Sequence, residues 1–558
     1  MSRDVRVSTL VGRTLARLGV GHVFGVVGSG NFDVTDTLVQ EGVPYTAARH
    51  EGGAATMADA YGRMSGKVGV VTTHQGCGLT NAITGVGEAA KSRTPMIVLT
   101  ADTQGAAVRS NFKIDQDGLA RSVGAVAERI HSPESAVADT VRAYRTAVNE
   151  RRTVVLSLPL DVQSASAPDN VDTVELQEPA RLRPDPALVK QLVQLIQKAE
   201  RPVFVAGRGG RGARDAILDL AEHAGALVAT SAVANGLFNG ASFNLGISGG
   251  FSSPLTAELI SRADLIVGWG CTLNMWTMRH GRLISPDAKV VQVDVEDASL
   301  GANRKISLGV LGDSALTAGD ALSELRSVQP IPEEKFRTEE NALAIKQESR
   351  WRDVETPDLS TTSLIDPRVL SRELDSILPV ERIVSVDSGN FMGYPSQYLS
   401  VPDEFGFCFT QAFQAVGLGL YTAIGAAIAQ PGRLPVLGAG DGGFLMGISE
   451  LETAVRLRLP LVCIIYNDDA YGAEVHHFAE MDNSPDLGSV TFPETDIAAI
   501  ARGFGAEGVA VRTLADLEPV KDWVADFQAG TQTRPLVIDA KIASDGGSWW
   551  LAEAFQGH

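Results

Sequence analysis

The chain has 558 residues, of which 44% are hydrophobic and 21% are charged, and its formal net charge at pH 7 is −19. An acidic surface argues against nucleic acid or an anionic membrane as the main partner, because both require a basic surface. No apolar run approaches the roughly 20 residues that span a bilayer, and the N-terminal residues lack a secretory apolar core, so we expect a cytoplasmic protein.

Short apolar runs alternate with helical patterns along most of the chain. In chain order these runs include HVFGVV, VGVVTT, PMIVLT, RPVFVAG, LIVGWG, KVVQVDV, RIVSVD, LPVLGAG and PLVCIIY. Most of them end in Gly, Ser, Asp or Thr, and several precede amphipathic stretches. This pattern is typical of βαβ units in parallel sheets that are covered on both faces. The sequence therefore predicts an α/β protein built from doubly wound parallel-sheet domains.

Two polar segments divide this pattern into three predicted domains. The first segment is rich in proline and polar residues, which indicates a linker. The second is highly charged, which indicates an exposed helix flanked by loops. The predicted parts are domains at 1–162, 189–327 and 367–545, connecting segments at 163–188 and 328–366, and a C-terminal tail at 546–558.

The tetrapeptide SGNF occurs at 29–32 and again at 388–391, each time just after a predicted strand. Four matching residues of this kind also arise by chance, because Ser-Gly-Asn is common in turns. The repeat nevertheless fits first and third domains that share a related plan.

Two acidic positions of the third domain follow the two strands of one predicted βαβ unit. LPVLGAG leads to Asp441, a helical pattern occupies 444–458, and the next strand leads to Asp468. Because the crossover makes these strands parallel, their carboxyl ends lie at one edge of the sheet, where ligands of open α/β folds bind. Two carboxylates there repel each other unless a cation lies between them, and oxygen ligands suit magnesium or calcium.

Glycines flank the first of these acids. Gly440, Gly442 and Gly443 would let a bulky anion approach the backbone, and a helix starting near Phe444 would present free amides to it. Either motif alone is usually a turn or a loop. Together, at both ends of one crossover, they indicate a site for a metal ion and a phosphate or diphosphate.

The stretch GDGGFLMGISELETAVRLRLPLVCIIYNDDAYG resembles the thiamine diphosphate motif, in which Gly-Asp-Gly is followed after a helix and a strand by Asn-Asn or Asn-Asp. Nearly the whole chain is similar to the superfamily of acetolactate synthase, benzoylformate decarboxylase and pyruvate decarboxylase, and most similar to acetolactate synthase-like large subunits. The resemblance implies pyrimidine-binding, middle and diphosphate-binding domains. It also implies thiamine diphosphate and Mg²⁺ as cofactors.

The resemblance assigns roles to residues of the third domain. It implies that Asp441 and Asp468 bind Mg²⁺ through their side chains and Ala470 through its carbonyl group. Val416 matches the bulky residue that holds the cofactor in a bent conformation. The complete set of implied cofactor contacts is Gly389, Asn390, Val416, Gly440, Asp441, Gly442, Gly443, Asp468, Tyr471 and Gly472.

Glu51 is the implied catalytic acid, because RHEGGAA and ADAYGR resemble the family segment that carries this residue. Its carboxyl group would hydrogen-bond the aminopyrimidine ring, so that the ring amine acts as an internal base. In the family this glutamate comes from the neighbouring subunit, which implies a homodimer or homotetramer with active sites at the subunit interface. Without the resemblance, a glutamate in the first helical turn is explained by the helix macrodipole alone.

Two further residues are candidates for catalysis. His74 lies in a segment that resembles the second pyrimidine-side loop of the family, where it would either face the substrate or only bond within the loop. Glu474 matches a glutamate that pyruvate decarboxylase-like enzymes use in protonation steps, whereas acetolactate synthases typically have an apolar residue there. His476 and His477 point to different helix faces and cannot chelate one ion together.

The resemblance implies an enzyme that decarboxylates a 2-oxo acid and joins the resulting enamine to a second carbonyl, as acetolactate synthase does. Glu474 supports an alternative, a decarboxylase that releases an aldehyde. A catalytically silent cofactor-binding relative is the alternative from another class. Acetolactate synthases also bind FAD in the middle domain, but Gly270-Cys271-Thr272 stands where relatives have an arginine, so FAD is left open as a third cofactor.

Overall fold

The computed structural model describes residues 4–175, 180–479 and 485–546. These residues form three six-stranded sheets, and the paired strands within each of the three are parallel. The predicted α/β class and parallel sheets are therefore confirmed. In the described part of the chain no helix is long and apolar enough to cross a membrane. Of the predicted tail, residues 547–558 lie outside the described ranges.

The first sheet belongs to the N-terminal part of the chain. Its strands and their neighbours are β1 (Asp4–Arg6), β2 (His22–Gly25), β3 (Tyr45–Ala47), β4 (Gly69–Thr73), β5 (Met96–Asp102), β6 (Val126–Arg129), β7 (Thr153–Pro159) and β8 (Ser166–Pro168), with helices α1 (Val7–Arg17), α2 (Phe32–Gln40), α3 (Glu51–Ser65), α4 (Cys77–Lys91), α5 (Gln116–Ser122), α6 (Ala136–Asn149) and α7 (Leu160–Ser164). The strand order is β3-β2-β4-β5-β7-β6. β8, inside the predicted linker, pairs antiparallel with β1 and so packs with the first domain.

The second sheet belongs to the middle of the chain. Its elements are β9 (Pro202–Ala206), β10 (Leu227–Thr230), β11 (Asn244–Ile247), β12 (Leu265–Trp269), β13 (Lys289–Asp294) and β14 (Leu308–Leu311), with α8 (Pro186–Lys198), α9 (Arg214–Ala224), α10 (Pro254–Ser261) and α11 (Ser314–Val328). The strand order is β11-β10-β9-β12-β13-β14. In the charged segment that follows lies α12 (Glu339–Glu348), in which Ile345 is buried.

The third sheet has the same topology as the first. Its elements are β15 (Arg382–Val386), β16 (Phe407–Phe409), β17 (Leu434–Gly440), β18 (Val462–Asn467), β19 (Glu507–Val511) and β20 (Leu536–Lys541), with α13 (Pro367–Ile377), α14 (Gly393–Tyr398), α15 (Gly419–Ala429), α16 (Asp441–Gly447), α17 (Glu450–Arg456), α18 (Gly472–Ala479), α19 (Ile497–Phe504) and α20 (Glu518–Gln528). The strand order β16-β15-β17-β18-β20-β19 repeats that of the first sheet. The two SGNF segments follow β2 and β15, which occupy matching places.

The central strands are apolar because helices cover both faces of each sheet. Every residue of β5 and of β18 is buried, as expected for parallel strands between two helical layers. Two helices start at an Asp-Pro pair: Asp185 caps α8 and Asp366 caps α13, with a proline at the next position. The carboxylate bonds a free amide of the first turn, and proline suits the first helical position.

The first and third domains pack against each other through α3 and α15. One apolar core contains residues of both helices. A Cβ atom on Gly425 would collide with the carbonyl oxygen of Met57, so glycine is needed for the close approach of the two backbones. This contact fixes the position of α3, whose first residue is Glu51, relative to the third domain.

Candidate active site

Asp441 and Asp468 lie side by side at the carboxyl edge of the third sheet. β17 and β18 are parallel neighbours with Gly440 beside Tyr466, so the residues that follow them emerge together. Burial raises the pKa of Asp441 to about 6. Burial and the adjacent Asp441 carboxyl raise the pKa of Asp468 to about 8. Two carboxyls in such contact share a proton at neutral pH, and a divalent cation can take the place of that proton.

One carboxylate oxygen of this pair is buried without a hydrogen-bond partner in the described part of the chain, which favours the binding of a cation there. Oδ1 of Asp441 is buried and has no hydrogen-bond partner among the described residues, which costs about 1–3 kcal/mol unless a ligand satisfies it. Ala470 follows Asp469, whose φ of +52° turns the backbone beside the pair. Two carboxylates and a carbonyl suit Mg²⁺, which takes its remaining ligands from phosphate and water. The described residues contain no cluster of three or more His, Cys, Asp and Glu side chains that could hold a metal.

Glycines keep the space next to the two acids open. A Cβ atom on Gly472 would collide with Oδ2 of Asp468, and one on Gly442 would lie 2.6 Å from the ring of Tyr471. The helix expected to start near Phe444 in fact starts at Asp441, because Gly440 is extended with φ −81° and ψ 164°. The first amides of α16 therefore lie directly beside the acids, an arrangement that suits an anion.

The predicted helix over 444–458 also differs from the structure at its centre. Hydrogen bonding is interrupted between α16 and α17, although Ile448 and Ser449 keep helical dihedral angles. The two helices are therefore nearly continuous. One end of this unit carries Asp441, and the other end, α17, contacts the first domain.

Asp387 organises the loop that carries Val416, and the sequence analysis did not single it out. It is buried at the end of β15 and accepts hydrogen bonds from the amides of Ser388 at 2.7 Å and Gly417 at 3.0 Å. Burial raises the pKa of Asp387 to about 6. Val416 lies over Gly443, where a Cβ atom would be 3.2 Å from Cγ1 of the valine. The position of Asp387 directly after a strand, like that of Asp441, was the available signal.

The two predicted diphosphate contacts Gly389 and Asn390 follow Asp387 at the same sheet edge. Gly389 has a φ of +149°, a region that favours glycine. Asn390 is buried, and the Cβ of this residue lies 3.5 Å from the position that a Cβ on Gly472 would take. The structure thus brings the predicted third-domain residues together around one space.

Glu51 lies at the carboxyl edge of the first sheet, as the first residue of α3. Its Oε2 accepts a hydrogen bond of 3.0 Å from Nδ2 of Asn81, a contact that the sequence analysis did not identify. A Cβ atom on Gly78 would lie 3.5 Å from Oε1 of Glu51 and 3.3 Å from Cβ of His74. Glu51 and His74 therefore flank the same glycine.

His74 makes loop contacts. Its Nδ1 lies 3.2 Å from the carbonyl oxygen of Gln75, and its ring packs edge-on against Phe112 with a centroid distance of 5.0 Å. These contacts agree with a loop histidine, and a substrate-facing role stays a prediction.

A cavity of about 780 Å³ adjoins the third-domain site and extends to the middle domain. Gly389, Val416 and Glu474 line its near end. Arginines line the far part of the wall: Arg63, Arg93, Arg151, Arg208 and Arg211. Burial, together with the charges of Arg63 and Arg211, lowers the pKa of Arg208 to about 9. Among the described lining residues of this cavity, Glu51 and His74 do not occur.

Glu474 lies in α18, whose start follows the Asp468 loop. Its amide bonds the carbonyl oxygen of Tyr471 at 3.0 Å, which sets the first turn of the helix. His476 and His477 are half-buried in the same helix, and the ring of His477 packs against Phe478.

Three thiamine pyrophosphate (thiamine diphosphate) enzyme models match the chain in sequence order. The N-terminal TPP binding domain matches residues 5–120, the central domain 189–325 and the C-terminal TPP binding domain 387–540. The chain belongs to the thiamine pyrophosphate enzyme family. The residues around Glu51 and the Asp441–Asp468 pair fall within the two TPP-binding regions.

Relatives of the chain are named for different reactions. Sulfoacetaldehyde acetyltransferase of Alcaligenes xylosoxydans xylosoxydans is 28% identical over 551 residues, covering 91% of this chain and 89% of the relative. A probable 2-ketoarginine decarboxylase of Pseudomonas aeruginosa is 28% identical, covering 93% of this chain and 90% of the relative. A probable acetolactate synthase large subunit of Methanocaldococcus jannaschii is 27% identical, covering 82% and 80%. The protein is thus a thiamine pyrophosphate-dependent enzyme, as the sequence predicted.

Proposed function

We propose that this thiamine pyrophosphate enzyme decarboxylates a 2-oxo acid and transfers the remaining unit to a second carbonyl compound, with Mg²⁺ as its metal. The observation that carries the site assignment is the buried Asp441–Asp468 pair with its orphaned oxygen. When bound, the cofactor supplies a thiazolium carbon that adds to a carbonyl group. The protein has to hold that cofactor, orient it and exclude water around it.

Each part of the site has one task in this proposal. Asp441, Asp468 and the carbonyl of Ala470 would bind Mg²⁺ and through it the diphosphate. Val416 would support the cofactor between its two rings. Glu51, held through Oε2 by Asn81, would share a proton with the aminopyrimidine ring through Oε1.

We further propose that a second copy of the chain completes each site. The cavity next to Val416 and Glu474 is not lined by Glu51 in the described part of the same chain, which supports a Glu51 supplied by a partner subunit. Co-expression of Glu51→Gln and Asp441→Ala chains tests this arrangement. A mixed dimer then has one intact site, so activity returns; if Glu51 served its own chain, both sites would stay inactive.

Product analysis tests the reaction. The protein with Mg²⁺ and thiamine pyrophosphate is incubated with pyruvate and with longer 2-oxo acids. Formation of an acetohydroxy acid or acyloin supports the proposal, whereas aldehyde as the sole product contradicts it. Aldehyde would establish the decarboxylase alternative, which the position of Glu474 in the cavity wall favours. Absence of turnover with every substrate would indicate a catalytically silent relative.

The comparisons favour a second candidate substrate. Relatives at 28% and 29% identity are named sulfoacetaldehyde acetyltransferase. Sulfoacetaldehyde is therefore included in the same assay. If the protein consumes sulfoacetaldehyde and leaves 2-oxo acids unchanged, sulfoacetaldehyde takes the place of the 2-oxo acid as the proposed substrate. The proposed cofactor site stays the same.

FAD remains a separate hypothesis for the far part of the cavity. The arginines there could bind an anionic ligand, but the tight contact of Gly207 with the carbonyl oxygen of Gly270 fills the strand ends where relatives place an arginine. Flavin absorbance in the supernatant of the heat-denatured protein would support FAD, and its absence after reconstitution with excess FAD would contradict it.

A further inference from the structure

We propose that Glu450, on α17 of the third domain, is a positioning residue for Glu51; this inference rests on the role proposed above for Glu51. Glu450 is fully buried. Its Oε1 accepts hydrogen bonds from the backbone amides of Arg49 at 2.8 Å and His50 at 3.0 Å. These two residues immediately precede Glu51, so the carboxylate of Glu450 holds the backbone from which the catalytic side chain projects.

The same helix holds the rest of this segment. Arg456 donates a hydrogen bond of 2.5 Å to the carbonyl oxygen of Ala47, and Nε of Arg49 donates to Glu452 at 2.6 Å. A Cβ atom on Gly53 would lie 2.7 Å from Oε1 of Glu450, so a glycine in the first turn of α3 makes room for the carboxylate. Together these contacts attach the segment before Glu51 to α17.

A matching contact runs in the opposite direction between the same two domains. Glu88, also fully buried on α4, accepts hydrogen bonds from the amides of Ala412 at 3.0 Å and Phe413 at 2.6 Å. Glu88 lies on the helix that follows β4, and Glu450 lies on the helical unit that follows β17, the matching strand of the third sheet. Glu88 holds the loop after β16, and Glu450 holds the loop after the matching strand β3. In one case the loop held by the other domain leads to Val416, a predicted cofactor contact, and in the other it leads to Glu51, the predicted catalytic acid.

Reach and charge can be separated at Glu450. The hydrogen bonds that its side chain accepts come from neutral groups: two backbone amides and Oγ1 of Thr453 at 2.5 Å. Glutamine keeps the length of the side chain and the oxygen that accepts from the amides, but it has no charge. Aspartate keeps the charge, but it is one methylene shorter and cannot keep both amide contacts. If Glu450 acts by positioning, the length of its side chain matters and its charge does not.

Proton exchange at the thiazolium carbon reports on Glu51 more directly than turnover does. The test measures the rate of hydrogen–deuterium exchange at this carbon, per bound cofactor, in the full-length protein with Mg²⁺ and thiamine pyrophosphate. The affinity for the cofactor is measured separately by calorimetry. A displacement of a catalytic group by about 1 Å can lower a reaction rate about 100-fold. We therefore expect Glu450→Asp to slow exchange about 10- to 100-fold. Glu450→Gln should stay within about threefold of the wild type, with cofactor affinity unchanged in both variants.

Three outcomes decide the inference. Wild-type exchange in Glu450→Asp overturns it, and equally slow exchange in Glu450→Gln and Glu450→Asp overturns it in favour of a charge effect. If Glu450→Asp does not fold, Thr453→Val loosens the same carboxylate, and wild-type exchange in that variant overturns the inference. The matched control Glu258→Gln on α10, which loses an exposed pair with Arg262, should exchange at the wild-type rate.

Glu51→Gln in the same assay separates this inference from the proposed function. If Glu51→Gln exchanges at the wild-type rate, the role proposed for Glu51 fails, and the inference about Glu450 fails with it. If Glu51→Gln is slow and Glu450→Asp is not, only the positioning role fails.

Discussion

The side-chain amide of Asn81 donates a hydrogen bond of 3.0 Å to Oε2 of Glu51. Glu51 begins α3, which follows β3, and Asn81 lies in the first turns of α4, which follows β4. The hydrogen bond therefore joins the starts of two helices at the carboxyl edge of the first sheet. It fixes the rotation of the carboxyl group at the sheet edge. Glu51 is therefore held from two sides: its carboxyl by Asn81, and the backbone before it by Glu450.

We expect Glu51→Gln to keep cofactor binding and to slow proton exchange at the thiazolium carbon by orders of magnitude, because glutamine cannot share a proton with the aminopyrimidine ring. Exchange is measured by NMR after acid quenching. Glu41→Gln, which alters only an exposed pair with Arg13, is the control and should behave like the wild type. Unchanged exchange in Glu51→Gln would refute the assigned role.

Glu474→Gln should change the products more than the binding of the cofactor. If Glu474 protonates the unit left after decarboxylation, its loss should lower the yield of aldehyde relative to the ligated product by about 10-fold or more, the usual contribution of general acid–base catalysis being larger still. Both products are quantified by chromatography after incubation with pyruvate. A product ratio identical to that of the wild type would show that Glu474 takes no part in protonation.

Arg63→Met should destabilise the protein strongly. The Arg63 guanidinium pairs with Asp59 and Glu88, and the side chains of both acids are fully buried. Removing the cation leaves two buried carboxylates without their partner, which costs about 3–5 kcal/mol. Urea unfolding should show a clearly lower midpoint.

The control for this prediction is Arg262→Met, which removes an exposed pair with Glu258. Its expected effect on unfolding is below about 1 kcal/mol. Equal midpoints for the two variants would contradict the structural role of the buried network.

The acids at the third sheet edge could be predicted from the sequence, whereas the contacts between domains could not. Asp441 and Asp468 each follow a strand of one βαβ unit, and parallel pairing alone brings such residues to one edge. Glu450 contacts the amide of Arg49 across 401 positions of the chain, and no local pattern marks it. Its role depends on how two domains pack, which is visible only in the folded protein.

Asp387 lies between these two cases. It directly follows a strand at the carboxyl edge, as Asp441 does, and this position could be predicted. Its hydrogen-bond partner Gly417 lies in a loop, whose conformation the apolar periodicity of the sequence does not predict. The start of α16 is a smaller example, because an extended Gly440 rather than the apolar pattern decides where the helix begins.

Asp387→Asn should change the pH dependence of stability. Burial raises the pKa of Asp387 from 3.8 to about 6. A raised carboxyl pKa means that the folded protein binds the proton more tightly, so this residue adds stability below about pH 4 and loses that contribution as the pH rises through about 6. Asparagine has no such titration.

We therefore expect the difference in unfolding midpoint between the wild type and Asp387→Asn to shift in favour of the wild type as the pH falls from 6 to 4. The comparison is made in chelator without cofactor, so that only the carboxyl group differs. A difference that does not change with pH across this window would contradict the raised pKa.

The proposed function depends on a divalent cation that Asp441 and Asp468 bind and that retains the diphosphate of the cofactor. Calorimetric titration of thiamine pyrophosphate with and without Mg²⁺ tests it in the wild type, in Asp441→Ala and in the control Asp469→Asn, which keeps a residue that tolerates the left-handed backbone at this position. We predict that Asp441→Ala weakens binding at least about 100-fold, since loss of even an outer partner of a metal ligand costs 10–100-fold, and that it abolishes the dependence on Mg²⁺. Binding by Asp441→Ala with wild-type affinity and wild-type Mg²⁺ dependence would contradict the claim.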